Sequence, residues 1–193
     1  MIWPSGKYAP FLAELEKIFA DMDAVYEKAA AYYGFHCRGC EDNCCLTRFY
    51  HHTWAEYMYL GQGFSELAPE KQNTLKQQAE TVILETASAE KENRLIRVMC
   101  PLNRDGLCTL YRFRPMICRL HGIAHELHPP GRSAVYGPGC DAFTKQTAGK
   151  EYICFDRTQF YAQMARLESD LRKELGIARK IRMTVAEMIK DFS

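Results

Sequence analysis

No apolar run in the chain is more than a few residues long, which excludes a transmembrane helix. The N-terminus, Met-Ile-Trp-Pro-Ser-Gly-Lys, lacks a basic stretch followed by an apolar one. A secretory signal is therefore not expected, and a cytoplasmic location is. Neither sign of charge dominates: 25 Lys and Arg face 24 Asp and Glu, a net of +1. That argues against a nucleic-acid coat protein, an acidic tail or a disordered chain. There is no G-x-G-x-x-G and no P-loop, so nucleotide binding has no support. The hydrolytic zinc motif H-E-x-x-H is missing; the chain has His125-Glu126-Leu127-His128 instead. The radical-initiator pattern C-x3-C-x2-C is missing as well, and no internal repeat or low-complexity tract is visible.

What is present is an ordinary globular composition of 193 residues, 47% hydrophobic and 25% charged. That length fits a single domain, 1–193, able to bury roughly 70% of its unfolded surface. Apolar residues at Phe11, Leu15, Ile18, Phe19, Met22, Val25, Tyr26, Ala29 and Tyr33 form one helical stripe, with Pro10 in its first turn and Gly34 at its end. Thr53 and Glu56 fit a capping box for a short helix through Trp54, Tyr57 and Leu60, ended by Gly61 and Gly63. Pro69 to about Asn93 reads as a helix with a thin apolar stripe of Leu75, Ala79, Val82, Ile83 and Thr86. Apolar runs at 96–102 and 107–111, around Asp105-Gly106, predict a hairpin. Pro115 starts a short helix carrying Cys118, ended by Gly122; the Pro- and Gly-rich stretch 129–139 reads as irregular loop. Residues 151–155 read as a strand or an extended segment. A long helix follows with the stripe Phe160, Met164, Leu167, Leu171 and Leu175, stopped by Gly176, and Thr184 with Glu187 caps a last one. The expected class is mainly α, with a small β-hairpin and a cysteine-rich metal-binding loop region between helices.

The nine cysteines carry the chemistry. In a reducing compartment, clustered cysteines are metal ligands or redox groups more often than disulfides, and an odd total pairs badly. Cys37, Cys40, Cys44 and Cys45 form C-x2-C-x3-C-C, in which a C-x2-C turn can aim two sulfurs at one metal. Adjacent residues point apart, so Cys44 and Cys45 either serve two metals or leave one sulfur outside the coordination sphere. Cys100 and Cys108 flank the hairpin, Cys118 sits on the short helix, and Cys140 follows a Gly-Pro-Gly turn. Cys154, between Ile153 and Phe155, reads as an apolar core residue. Arg38, Arg97, Arg104, Arg112, Arg114 and Arg119 lie among the cysteines and can offset thiolate charge. His121, His125 and His128 read as surface groups or as neighbours of the ligands rather than a hydrolytic zinc site.

These blocks, Cys37-x2-Cys40-x3-Cys44-Cys45, Cys100-Pro101-Leu102, Asp105-Gly106-x-Cys108, Tyr111-x2-Arg114-Pro115 and Cys118-Arg119, resemble the bacterial CxxCxxxCC, or YkgJ-type, cysteine-cluster family. That family is described as zinc- or iron-chelating. The resemblance runs over 37–140, a metal-binding core flanked by N- and C-terminal helices. It implies eight ligands: Cys37, Cys40, Cys44, Cys45, Cys100, Cys108, Cys118 and Cys140. It also implies an iron–sulfur cluster, with 4Fe–4S preferred over zinc, and a role in electron transfer or a cluster-dependent step with an unidentified protein or redox partner. The alternatives are a zinc-stabilised binding module and a modifying enzyme of the protein-lysine methyltransferase type, since a flagellin lysine methylase shares the domain type. No membrane partner is expected, and nucleic acid is disfavoured.

Overall fold

The computed structural model describes residues 5–36 and 44–192. The protein is mainly helical, with two small antiparallel two-stranded sheets. No helix among the described residues is long and apolar enough to cross a membrane.

Helix α1 spans Ser5–Tyr33 and buries Leu12, Leu15, Ile18, Phe19, Met22, Ala29 and Tyr33, while Val25 stays exposed. It begins earlier than Pro10 predicts. The extra turn is useful because Tyr8 packs on the core. Gly34, at φ 57°, ends it: Phe35 N–H donates to Ala30 O at 2.9 Å and Gly34 N–H to Ala31 O at 3.1 Å. This pair of bonds closes a left-handed cap that only glycine adopts cheaply.

Helix α2, Trp54–Ser65, is the centre of the molecule, with nine residues buried. It touches α1, α6 (Thr158–Leu175) and α7 (Val185–Asp191). A helix apolar nearly all round belongs in such a position. Gly61 and Gly63 were expected to end α2, yet both lie inside it. Their role is packing: a Cβ on Gly63 would overlap the Phe113 ring, and one on Gly61 would come within 3.2 Å of Phe192. The N-terminus of α2 is held by Thr53 Oγ1 and by the Glu168 carboxylate, which accepts from Trp54 N at 2.8 Å.

Helix α3, Pro69–Lys91, packs on α7 and buries only Leu75, Ala79 and Ala89. The chain then runs over 94–100 with no partner strand among the described residues. Burial alternates along it, turning Ile96, Val98 and Cys100 inward and leaving Leu95 78% exposed. The predicted hairpin exists but is short: β1, Asn103–Arg104, pairs with β2, Leu107–Cys108. Asp105 and Gly106 both have positive φ, 53° and 83°, as a two-residue turn matched to strand twist requires. Helix α4, Met116–Leu120, packs on α1 and ends at His121, one residue before the expected Gly122.

A second hairpin lies where an irregular loop was expected: β3, His125–Leu127, pairs with β4, Val135–Gly137. Gly137 is required there, because a Cβ would overlap the His125 ring across the ladder. Helix α5, Asp141–Gln146, follows. Residues 151–155 are extended and form no strand. Helices α6 and α7 match the sequence reading; Gly176 (φ 65°) ends α6 and the reciprocal Thr184–Glu187 box starts α7.

Candidate metal centre

Four segments bring five cysteines to one cavity of about 840 Å³. A single helical turn, Cys44–Leu46, supplies Cys44 and Cys45. Segment 94–100 ends at Cys100, β2 carries Cys108, and α4 carries Cys118. The segments are joined by backbone: Cys100 N–H donates to Cys45 O at 2.8 Å, and Thr109 N–H to Leu102 O at 2.7 Å. Helix α3 contributes Val82, Ile83 and Thr86, so its thin stripe lines the cavity.

The thiols interact electrostatically. A hydrogen bond from Cys44, opposed by burial and helped by one from the Asn103 side chain, lowers Cys45 to about 6. Burial pushes Cys100 up to about 12, and negative charge at Cys45 and Cys108 adds to that. Burial likewise raises Cys108, while Arg114 pulls it back. Cys118 is raised well above the ordinary thiol value, first by burial and then by Cys100, Cys108, Cys45 and Glu56. Mutual repulsion of this kind places the four sulfurs within reach of one another's charge. A bound cation removes it, which is how metal binding and thiol deprotonation couple.

The backbone prepares two sulfurs for charge. The backbone N–H groups of Leu102 and Asn103 favour the charged form of Cys100, and that of Leu110 the charged form of Cys108. Amide hydrogen bonds to sulfur stabilise thiolates and tune the metals they hold. Arg114 and Arg119 stand at the cavity, as does Arg48. Arg114 stacks 3.6 Å over Tyr111 and faces Asp23 at 3.5 Å. Arg119 is buried over Phe19, bound to Asp23 and to Arg114 O. They are not a solvated face. Arg112 instead pairs with Glu16 at the surface, and Arg97 and Arg104 are exposed.

No group of three or more His, Cys, Asp or Glu side chains among the described residues is disposed to hold a metal ion as it stands. The donors fit a thiophilic metal in kind. No family model, no curated protein and no solved structure matches the chain. The likeness to the CxxCxxxCC family rests on the residues quoted for it.

Other predicted site residues fall elsewhere. Cys37, Arg38 and Cys40 lie outside the described residues. Cys140 is the N-cap of α5, its Sγ accepting from Phe143 N at 3.4 Å, and it is not among the cavity residues. Its neighbour Gly139, at φ 86°, lets the chain press against Gly122 and Ala124. Cys154 is exposed rather than in the core. Alternation along the segment buries Phe155 and turns Cys154 outward, where Glu126 raises its thiol pKa. Glu126 also accepts from Tyr152 at 2.9 Å and meets His128 Nε2 at 2.8 Å. The histidines share no helix: His121 follows α4 and lines the cavity beside Phe49, His125 is on β3, and His128 follows it.

Two cavity-side residues escaped the sequence reading. His51 lines the cavity and is 3% exposed. Burial pushes its pKa down, so the ring is neutral. Glu56 was expected only as half of a capping box. Its carboxylate instead bridges Thr53 Oγ1 (2.6 Å) and Met116 N (2.9 Å), tying α2 to the first turn of α4 and hence to Cys118. The only sequence signal for His51 was its position between the two cysteine blocks.

Proposed function

We propose that the protein is a metal-binding protein whose centre is held by Cys45, Cys100, Cys108 and Cys118, with Cys44 hydrogen-bonded to Cys45. Cys37, Cys40 and Cys140 complete the ligand set that the family likeness implies. The observation that carries this reading is the gathering of Cys44, Cys45, Cys100, Cys108 and Cys118 on one cavity. The preferred occupant is an iron–sulfur cluster, 4Fe–4S, which supplies one-electron chemistry when bound. Thiolates suit both iron and zinc. The cavity favours the cluster, because a closed structural zinc site needs four ligands and no adjoining space of about 840 Å³. Within it, the residues of this chain exclude water through Val82, Ile83, Ile96 and Val98 and balance negative charge through Arg114 and Arg119. The role proposed for it is electron transfer or a cluster-dependent step, with an unidentified protein or redox partner.

The test is anaerobic purification. A brown protein with a broad visible band, replaced by a colourless one when Cys100 and Cys108 are both changed to Ala, supports the cluster. A colourless wild-type protein with stoichiometric zinc moves the account to a zinc-stabilised module.

A further inference from the structure

His51 is the most buried polar group at the cavity that has no use within the fold. Its backbone is fixed by two bonds to Met183, N to O at 2.8 Å and O to N at 3.0 Å. The side chain is 2% exposed. Nδ1 faces Glu56 Oε1 at 4.0 Å, while Nε2 has no hydrogen-bond partner among the described residues. Buried polar atoms in native proteins are nearly always paired, and an apolar side chain would fill the same space without the loss. The unpaired nitrogen belongs to a residue that lines the cavity of the five thiols.

The surroundings point the ring at a ligand. Glu56 is itself immobilised by Thr53 and Met116, so the carboxylate is a fixed anchor behind Nδ1. The bond to Met116 N ties the Glu56–His51 pair to the first turn of α4, the helix that carries Cys118. A carboxylate behind one ring nitrogen, with the other nitrogen free, is the usual arrangement of a metal-binding histidine. Nitrogen and sulfur donors are compatible on zinc and on iron. The other histidine on the cavity, His121, lies with its ring edge-on to Phe49, 5.3 Å between centroids.

We propose that His51 is a further ligand of the centre, donating through Nε2 to a zinc or iron ion held by the cavity cysteines. This rests on reading the cavity as a metal centre. The site is then a mixed sulfur–nitrogen site rather than an all-thiolate one, and it carries one negative charge fewer than a site with a thiolate in that position.

The probe is zinc, loaded without oxygen onto the full metal-free chain and read by X-ray absorption. The wild-type spectrum should show a sulfur shell, a nitrogen shell and the outer scattering of one imidazole ring. His51→Ala should lose the ring scattering and bind zinc at least about tenfold more weakly, and His121→Ala should keep both. The wild-type spectrum decides without any variant whether an imidazole is bound, so a poorly folding His51→Ala does not spare the proposal. A sulfur-only shell in the wild type overturns the role of His51 and leaves the thiol centre standing. Absence of a sulfur shell overturns both. Ring scattering that survives in His51→Ala assigns the nitrogen elsewhere and overturns the proposal.

Discussion

The backbone N–H of Cys100 donates to the carbonyl of Cys45 at 2.8 Å. One ordinary hydrogen bond thus joins the two cysteine blocks that the sequence separates by helices α2 and α3. Around it the Cys45, Cys100, Cys108 and Cys118 sulfurs feel one another's charge. The helices on either side make this possible: α2 is pinned by Glu168, and Glu56 carries that rigidity to α4.

Ligands should separate from bystanders by metal content. Cys108→Ala and Cys118→Ala are expected to lose metal, because each removes a cavity sulfur. Cys154→Ala, which removes an exposed thiol, should retain the wild-type content. Elemental analysis of the three purified variants reads the difference, and equal loss in all three would make Cys154 a ligand.

In the metal-free protein Cys45 should be the first thiol to react. Its thiolate dominates above about pH 6, whereas Cys100 stays protonated until about 12. Alkylation followed by peptide mass mapping at pH 7 should mark Cys45 ahead of Cys100 and Cys118. Cys44→Ala removes the hydrogen bond that lowers Cys45 most, so the reaction midpoint should move upward. A midpoint unmoved by that change would assign the lowering to something else.

Much of this was legible from the residues alone. The stripe of α6, its Gly176 stop and the Thr184–Glu187 box were readable because each is local chemistry within one or two turns. The Asp105-Gly106 turn was readable for the same reason. Gly61 and Gly63 misled because their cause is not local: they admit Phe113 and Phe192 from distant segments. The β3–β4 hairpin was hidden by the prolines and glycines of its long connection. Cys154 misled because apolar neighbours in an extended segment face the opposite way. The gathering of Cys100, Cys108 and Cys118 followed the expected hairpin and proline-started helix, but His51 and Glu56 needed the tertiary arrangement to be seen.

Gly63→Ala should destabilise the fold by about 1–3 kcal/mol, the usual cost of overpacking a filled core, since the added methyl meets the Phe113 ring. Gly6→Ala, with nothing within 4 Å, should be neutral or slightly stabilising. Paired denaturation midpoints check this. A Gly63→Ala protein as stable as the parent would mean that Phe113 moves aside freely.

Glu168 gives the fold a pH dependence of known sign. Burial raises its carboxyl from 4.5 to about 7, against the hydrogen bonds from Ala55 and Trp54. A raised folded-state pKa means the folded protein holds the proton more tightly. The contribution is therefore fully present below about pH 4.5 and is lost as pH rises through about 7. Glu168→Gln keeps an acceptor for Trp54 N and cannot titrate. It should flatten that loss, by about 1–2 kcal/mol once solvent screening is allowed for. Urea denaturation of both proteins at pH 5 and pH 8 reads it; parallel curves would contradict the assignment.

The central claim is that the cavity thiols hold an iron–sulfur cluster, and oxygen-free reconstitution with iron and sulfide tests it most directly. After desalting, the account predicts acid-labile sulfide bound in proportion to iron and an electron paramagnetic resonance signal on reduction. Both should be absent from the Cys108→Ala and Cys118→Ala variants. Protein that retains no sulfide and gives no signal, yet binds zinc tightly through the same cysteines, would contradict it.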